Sequence, residues 1–251
     1  MTEEAPPGAS RSGPAGAWLG RALAATAGYV DAAGYVGLVQ LFTAHQSGNT
    51  AGLGAALGTG SWPDVWRRGL AILAFTLGVA VGTAMVEVSN RRRGARSAAL
   101  LAGAELLLLG IALAVGEAES VGGVLHAGQP LPYAVVATAL AGAMGVQTVS
   151  LRRIGGRNVR TTFVTGVLTN IAESAVAAWW GRGGGPKMSA FSRLLASIWI
   201  MYLAGAVLGA ALERTWSFAA LGLAMAMTAA IAVYDARSPY QPDLPAQGIS
   251  E

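Results

Sequence analysis

Residues 43–60 read TAHQSGNTAGLGAALGTG, a glycine-rich and weakly apolar stretch on which the predicted fold depends. It lies between apolar segments at 18–42 and 69–88, each long enough to cross the roughly 30 Å of hydrocarbon in a bilayer. A second ambiguous stretch, residues 159–180, carries one basic, one amide and one acidic side chain among apolar residues. Whether these two stretches cross the membrane determines the number of helices and the orientation of the second half of the chain.

The composition indicates an integral membrane protein. Of the 251 residues, 53% are hydrophobic and 12% are charged, whereas soluble domains carry about 25% charged residues. The mean hydropathy is +0.49. The chain has no cysteine, which excludes disulfides, thiolate zinc sites and cysteine nucleophiles. Its basic residues lie between apolar runs, so the net charge of +4 indicates cytoplasmic loops and not nucleic-acid binding.

The predicted fold class is an all-α polytopic membrane protein with six strong transmembrane helices and two shorter segments that are re-entrant or half-helices. A single transmembrane domain would occupy residues 17–236, between disordered tails at 1–16 and 237–251 that are rich in proline, glycine and polar residues. Six segments have the required length and apolar character: 18–42, 69–88, 98–115, 132–151, 194–212 and 216–235.

The positions of the 17 basic residues favour six crossings. With six crossings, 14 of the 17 lie on the cytoplasmic side; with eight crossings only 9 do, and with seven 11 do. We therefore expect an inner (plasma) membrane protein with both termini in the cytoplasm. Three crossings per half would insert the second half upside down, so that the two ambiguous stretches enter the membrane from opposite faces. A duplicated helical bundle without a pathway is the alternative.

Short motifs recur in the two halves of the chain, at about 17–115 and 132–235, and predict an inverted internal repeat. In each half a small-residue pair precedes a polar intramembrane residue, a Ser/Thr-Gly segment follows, and a GxxxG helix comes after it. The matched pieces are Ala27-Gly28 before Asp31 with Ala141-Gly142 before Gln147, Ser47-Gly48-Asn49-Thr50 with Thr165-Gly166-Val167-Leu168-Thr169, and Phe75-Thr-Leu-Gly78 with Tyr202-Leu-Ala-Gly205.

These motifs resemble the signature of the YoaK family of bacterial inner-membrane proteins, over roughly residues 18–235. The resemblance implies a membrane location and this helical architecture, but no substrate or reaction, because the family's function is unknown. The family pattern usually has Thr-Gly-Asn where this chain has Ser47, and more apolar residues in place of His45-Gln46. The matching motifs are Gly28-Tyr-Val-Asp31-Ala-Ala-Gly34-Tyr35, Phe42, Ser47-Gly48-Asn49-Thr50, Gly142-Ala-Met-Gly145-Val-Gln147 and Arg160-Thr-Thr-Phe-Val-Thr165-Gly166-Val-Leu-Thr169.

Asp31 is the most informative single residue. A carboxylate in an apolar helix costs about 2.5–3.5 kcal/mol on insertion scales unless it is paired or hydrated. The residues on its helical face are mostly small, which suits close helix contact or a narrow hydrated cavity. We expect Asp31 to bind a cation or carry a proton; the alternative is a structural hydrogen bond to a neighbouring helix. Glu105, among leucines, has no polar companion nearby in sequence and is expected to pair with an arginine or an aspartate from elsewhere in the chain.

The second ambiguous stretch has a polar face that looks like the lining of a pathway. Three hydroxyls and a carboxylate recur every four residues, at Thr161, Thr165, Thr169 and Glu173. An interhelical hydrogen-bond ladder, or a Glu173 near the membrane interface, is the alternative. The candidate substrate or ion-pathway residues are Asp31, Ser47, Gly48, Asn49, Thr50, Gln147, Thr165, Gly166, Thr169, Asn170 and Glu173.

Enzymatic motifs are absent from the sequence: it has no HExxH, no CxxC, no P-loop and no GxGxxG followed by a distant acid. His45 lies near Ser47, but residues two apart on a helix point away from each other. We therefore expect no enzyme, no cofactor and no metal site. The leading hypothesis is a small-solute or ion transporter or channel-like protein whose partner is the lipid bilayer, with a homo-oligomer left open. A non-transporting membrane scaffold or accessory subunit is the alternative.

Overall fold

The computed structural model of the chain describes residues 14–91, 97–126, 129–150, 153–154, 157–158, 164–180 and 190–237. These residues are almost entirely helical, which confirms the all-α fold class. The predicted tails fall mainly outside the described residues. The elements are α1 (Pro14–Gly37), α2 (Gln46–Thr59), α3 (Trp62–Arg91), α4 (Ser97–Glu119), α5 (Pro130–Ser150), two paired two-residue strands β1 (Arg153–Ile154) and β2 (Arg157–Asn158), α6 (Val164–Trp179), α7 (Ala190–Trp216), a 3-10 turn (Ser217–Ala220) and α8 (Leu221–Arg237).

The first apolar segment departs from its prediction. Residues 18–42 were expected as one long helix, but α1 ends at Gly37 and the chain turns before α2 begins at Gln46. Val39 and Gln40 take φ values of 52° and 62°. A left-handed backbone is strained for a β-branched valine, so tertiary contacts must hold this turn in place.

Long apolar helices account for most of the chain. Four helical stretches in the described residues are long and apolar enough to cross a membrane: Trp62–Ser89, Ala98–Glu119, Pro130–Ser150 and Ala190–Tyr234. The last of these contains both α7 and α8, with the 3-10 turn between them. Large apolar side chains such as Leu77, Leu107 and Val207 are about two-thirds exposed on the outside of the bundle, at 64%, 65% and 64%. Such an exterior suits contact with lipid.

Helices α1 and α7 pack in parallel, with glycines of each helix against the backbone of the other. Arg21 donates from Nε to the Ser197 hydroxyl at 2.8 Å near the start of both helices, and Gly209 lies directly against the carbonyl of Tyr29 further along. A Cβ on Gly28 would overlap the backbone carbonyl of Tyr202. These contacts bring the two backbones together as small residues do in membrane helix pairs.

Helices α3 and α5 form a second parallel pair of the same kind. Gly78 lies against the carbonyl of Gly142, and Gly145 lies against the carbonyl of Phe75. At the start of the pair, the ring centroids of Trp66 and Tyr133 are 5.9 Å apart. The largest buried cluster lies between α1 and α5, with contributions from α3, α4 and the start of α8.

Helices α4 and α8 run antiparallel, since Glu105 of α4 contacts Thr228 while Glu117 contacts Ala219 further back in the chain. The start of α1 meets the end of α8, where the ring centroids of Trp18 and Tyr234 are 4.6 Å apart. The first and last described helices therefore begin and end at the same end of the bundle.

Helix α2 is a half-length helix that packs along α3. Its 14 residues span about 21 Å, less than the hydrocarbon core of a bilayer. Gly52 lies beside the guanidinium of Arg68. Asn49 in its first turn and Ala56 in its third are buried, whereas residues 57–59 at the C-terminal end are all exposed. The N-terminal end is therefore the one that lies deeper in the bundle.

Helix α6 is another short helix, and its buried Val167 belongs to the same apolar cluster as Leu19 and Leu23 near the start of α1. Its 16 residues span about 24 Å, and it runs antiparallel to α7, with the Ser174 and Ser192 hydroxyls 2.6 Å apart. Val167 is buried beside Leu195, whereas Trp179 is exposed. Here too the N-terminal end lies deeper in the bundle.

Candidate functional site

Asp31 accepts hydrogen bonds from the backbone of residues 43–45, which lead into α2. Its Oδ1 accepts hydrogen bonds from the backbone N–H groups of Thr43 at 2.7 Å, Ala44 at 2.6 Å and His45 at 3.3 Å. The Thr43 hydroxyl is a further donor at 3.3 Å. Three successive amides around one carboxylate form a compact anion cradle just before the helix N-terminus, where the helix dipole also favours negative charge.

Tyr202 completes the surroundings of Asp31. Its hydroxyl donates to Oδ2 at 2.6 Å, and Asp31 is only 3% exposed. Tyr202 can reach this oxygen because Gly28 lets α7 lie against α1 at that level. Both carboxylate oxygens are therefore satisfied by donors of the protein itself, so the burial of this charge is compensated without a bound cation.

The turn between α1 and α2 is held from the α3 and α5 side. Arg67 is largely buried and donates from Nη2 to the carbonyl of Val39 at 2.6 Å, and the Tyr133 hydroxyl donates to the carbonyl of Leu38 at 3.0 Å. The Arg67 guanidinium also lies 5.3 Å from the centre of the Tyr133 ring and 3.4 Å from Asp64. These contacts hold the left-handed residues of the turn in place.

Asn49 ties the first turn of α2 to the same loop. Its Nδ2 donates to the Phe42 carbonyl at 2.7 Å, and its Oδ1 accepts from the Phe42 N–H at 3.2 Å. Its amide also donates to Oε1 of Gln46 at 3.0 Å. Gly48 lies close to the Phe42 ring, where a Cβ would be 3.0 Å away. Of the predicted Ser-Gly-Asn-Thr residues, Asn49 and Gly48 therefore shape the loop that Asp31 holds.

Ser47 and Thr50 lie on the exposed side of α2. The Thr50 hydroxyl donates to the Gln46 carbonyl one turn earlier. The expectation that His45 and Ser47 point apart was wrong: Ser47 Oγ lies 3.2 Å from His45 Nε2. The reason is that His45 precedes the helix with φ −85° and ψ 73°, so helical spacing does not apply to the pair.

The predicted polar face of α6 lies on the outside of the bundle. Thr169, Asn170 and Glu173 are exposed, and Asn170 donates to the Gly166 carbonyl of its own helix at 2.8 Å. Gly166 is half-buried. Thr165 lies in the first turn of α6, but its side chain and Thr161 are outside the described residues.

The described residues do not bring the two predicted segments into one group. Val167 of α6 packs with Leu19 and Leu23 of α1. Asp31 lies eight to twelve residues further along the same helix, a distance of about 12–18 Å. The site formed by Asp31 and α2 and the polar face of α6 are therefore separate features.

Residues 19–234 match the family described as "Protein of unknown function (DUF1275)". The chain belongs to this family. It is also 27% identical to the UPF0700 transmembrane protein YoaK of Bacillus subtilis (strain 168) over 193 residues, which cover 76% of this chain and 81% of that relative. The predicted YoaK-family membership is thereby confirmed. No solved structure matches the chain.

This relative, together with the long apolar helices, makes the chain a membrane protein of the DUF1275 family. Three further buried polar residues, Gln147, Glu105 and Glu213, lie outside the site around Asp31. Gln147, one of the predicted residues, is 1% exposed, and neither amide atom has a hydrogen-bond partner among the described residues. Among the described residues Glu105 pairs with neither an arginine nor an aspartate; the Thr228 hydroxyl donates to its Oε1 at 3.0 Å instead.

Glu213 was not anticipated in this DUF1275 protein. It is 2% exposed, and neither carboxylate oxygen has a hydrogen-bond partner among the described residues. A Cβ on Gly37 would lie 2.6 Å from its Oε1, which places the carboxyl at the end of α1. The signal in the sequence is an acid one turn after Gly209, but the predicted segment ends at residue 212 and leaves Glu213 out.

Proposed function

We propose that this protein is a transporter or channel-like protein for a small solute or ion, built as an inverted repeat that crosses the bacterial inner membrane six times. The observation that carries the proposal is the pair of half-length helices, α2 and α6, each with its N-terminal end deeper in the bundle. Opposed short helices of this kind occur in transporters, where their ends and the adjoining non-helical backbone form substrate and ion sites.

The inverted repeat is supported by reciprocal packing. The first helix of each half packs on the GxxxG helix of the other half, α1 on α7 and α5 on α3. Gly28 meets the Tyr202 carbonyl as Gly145 meets that of Phe75. In this correspondence Gly28 matches Gly145 and not Gly142, one helical turn beyond the pairing expected from the small-residue motifs.

Six crossings with both termini in the cytoplasm are supported by the contacts at the ends of the bundle. Trp18 and Tyr234 meet, so α1 begins where α8 ends, as an even number of crossings requires. The parallel pairs α1–α7 and α3–α5 and the antiparallel pair α4–α8 have the directions that six crossings demand. The basic residues then lie mostly on the side of the two termini.

Within this proposal Asp31 is a positioning residue. The hydrogen bonds that its carboxylate accepts hold the residues before α2 in place against α1 and α7. Asn49 and Gly48 shape the same loop. Glu173 keeps the role of candidate proton or cation group on α6, since its carboxylate is exposed and forms no hydrogen bond among the described residues. We propose no catalytic role for the pair of His45 and Ser47.

Topology is tested by single cysteines, which the cysteine-free chain makes simple to interpret. Ser61→Cys, Ser120→Cys and Trp180→Cys are labelled from outside intact cells with a membrane-impermeant maleimide. Six crossings predict labelling at 61 and 120 and none at 180. Eight crossings predict no labelling at any of the three positions, and seven crossings predict labelling at all three. Either of the last two patterns would remove the inverted symmetry.

Transport is tested on protein reconstituted in liposomes, with indicators for protons and sodium and with light scattering for glycerol and urea. We expect a protein-dependent flux of at least one of these probes. It should be reduced in Glu173→Gln and unchanged in Glu119→Gln, which removes an exposed carboxylate from the end of α4. Equal flux in both variants would remove the role assigned to Glu173.

A non-transporting scaffold or accessory subunit is the second candidate function. It is favoured by the complete internal satisfaction of Asp31, since a carboxylate that only holds a turn needs no pathway. Absence of flux for every probe, together with a partner that copurifies stoichiometrically and binds the exposed faces of α2 or α6, would support this function over transport.

A further inference from the structure

A small cleft lies at the end of the bundle where α1 begins and α8 ends. Its walls are largely apolar and include Leu19, Leu23 and Ile231. Three polar side chains from three helices also line it: Glu105 of α4, Thr228 of α8 and Ser150 of α5. The space holds about two water-sized groups, so the ligand that it accepts must be small.

Two of the three polar side chains of this cleft are buried, and Ser150 is half-buried. Glu105 is 2% exposed and Thr228 is 3% exposed. Their single mutual hydrogen bond, from the Thr228 hydroxyl to Oε1 at 3.0 Å, leaves the hydroxyl oxygen with lone pairs to offer. Among the residues that the structure describes, no lysine or arginine forms an ion pair with Glu105. A buried carboxylate with one neutral donor is only partly compensated, unlike Asp31 with its five donors.

The oxygens around the cleft match a hard cation. Carboxylate and hydroxyl oxygens are hard ligands, and the cleft has room for a cation with a water. One carboxylate balances a single positive charge. A divalent ion would keep a net charge among apolar walls, and Ca²⁺ would need six to eight oxygens, more than this cleft provides.

We propose that the cleft formed by Glu105, Thr228 and Ser150 binds a small monovalent cation of the sodium class. The ion replaces the carboxyl proton, which is released to solvent, and the carboxylate neutralises the ion. The two hydroxyl oxygens with water complete its coordination. The site is separate from the one around Asp31, which lies further along α1. It stands independently of the transport proposal, because binding is measured on full-length protein in detergent with no flux involved.

The test is thermal unfolding of the purified protein, followed by tryptophan fluorescence, as NaCl replaces choline chloride at constant ionic strength. A ligand that binds only the folded state raises Tm, and saturating Na⁺ should raise it by about 3 °C. Glu105→Gln should abolish the Na⁺-dependent shift. Thr228→Val, which keeps shape and charge, and Ser150→Ala should each raise the half-saturating Na⁺ concentration by about tenfold or more, the equivalent of one good ligand contact.

Glu119→Gln is the matched control, since it makes the same change in the same helix on an exposed side chain, and it should keep the full shift. The readout is the dependence on Na⁺ and not Tm itself, so a change in baseline stability does not obscure it. Should Glu105→Gln fail to fold, Thr228→Val and Ser150→Ala carry the test. No shift in the unmodified protein, an equal shift in Glu105→Gln, or an equal shift when choline is varied alone would each overturn the proposal.

Discussion

The Tyr202 hydroxyl donates a 2.6 Å hydrogen bond to Oδ2 of Asp31, which joins α7 to α1 through two side chains that are far apart in the sequence. The other oxygen of Asp31 receives the backbone amides that precede α2. One carboxylate therefore connects the second half of the chain, through α1, to the half-helix of the first half. The stability of this arrangement depends on each of those donors.

Tyr202→Phe removes only the hydroxyl and leaves one buried carboxylate oxygen without its donor. We expect a loss of about 1–3 kcal/mol in the free energy of unfolding, measured by chemical denaturation in detergent. Tyr234→Phe is the matched control, because Tyr234 contacts Trp18 only through its ring and is 36% exposed. Equal stability of the two variants would contradict the assigned role of this hydrogen bond.

Asp31→Asn keeps the shape of the side chain but replaces an acceptor oxygen by an NH₂ group. The remaining oxygen can keep the backbone amides, and the new NH₂ group then faces the Tyr202 hydroxyl, which must turn to accept and no longer donates. Every charge-assisted bond to the carboxylate is lost. We expect a larger loss than in Tyr202→Phe, about 3 kcal/mol or more. In an otherwise cysteine-free chain, a thiol reagent should also label Ser47→Cys faster when Asp31→Asn is present, because the entrance of α2 is released.

The control for this substitution is Glu119→Gln, which neutralises an exposed carboxylate at the end of α4. A surface substitution of this kind changes stability by about 0.5 kcal/mol or less. If Asp31→Asn were as mild as Glu119→Gln, the carboxylate would not be what holds the loop.

Gly28→Ala and Gly145→Ala should destabilise the protein by similar amounts. Each new methyl group overlaps a backbone carbonyl, that of Tyr202 or of Phe75, and the paired helices must separate to admit it. Overpacking of this kind costs about 1–3 kcal/mol. Gly103→Ala is the control, since a Cβ there meets open space and should be neutral or stabilising by up to about 1 kcal/mol. A mild effect at only one of the two positions would weaken the inverted correspondence.

Glu213→Gln should leave stability unchanged or raise it. Neither oxygen of Glu213 has a hydrogen-bond partner among the described residues, so the wild-type group bears its desolvation cost without compensation. The amide that replaces it has no charge to desolvate. The measurement is Tm in detergent beside Asp31→Asn; a loss as large as that of Asp31→Asn would show that Glu213 has a compensating partner.

Composition and periodicity predicted the membrane class and the long helices, because burial in lipid requires continuous apolar runs. They could not predict that α1 ends at Gly37. The residues that follow are as apolar as those before, and the helix stops because Arg67 and Tyr133, far along the chain, bind the carbonyls of Val39 and Leu38. The hydropathy of a segment does not reveal hydrogen bonds to residues far away in the sequence.

The candidate site was predicted in part. Asp31 and Asn49 of the Ser-Gly-Asn-Thr motif hold the same loop, Asp31 through the backbone amides of residues 43–45 and Asn49 through the backbone of Phe42. The proposed repeat matches Gly28 with Gly145, one turn beyond Gly142, and small residues recur every three or four positions along α5, so the sequence fits several registers equally well. The partners Tyr202 and Thr228 follow only from tertiary packing.

The bond between Asp31 and Tyr202 also sets an order of events during synthesis. The ribosome makes Tyr202 171 residues after Asp31, which at about 5–20 residues per second is roughly ten to thirty seconds later. Until then Oδ2 of Asp31, in the newly inserted first helix, lacks its hydrogen-bond donor. A carboxylate oxygen without a donor is unfavourable in an apolar environment. The amino-terminal half of this protein thus lacks one of its stabilising contacts until α7 is synthesised. A nascent chain that stops before α7 would therefore be the form recognised by quality-control proteases.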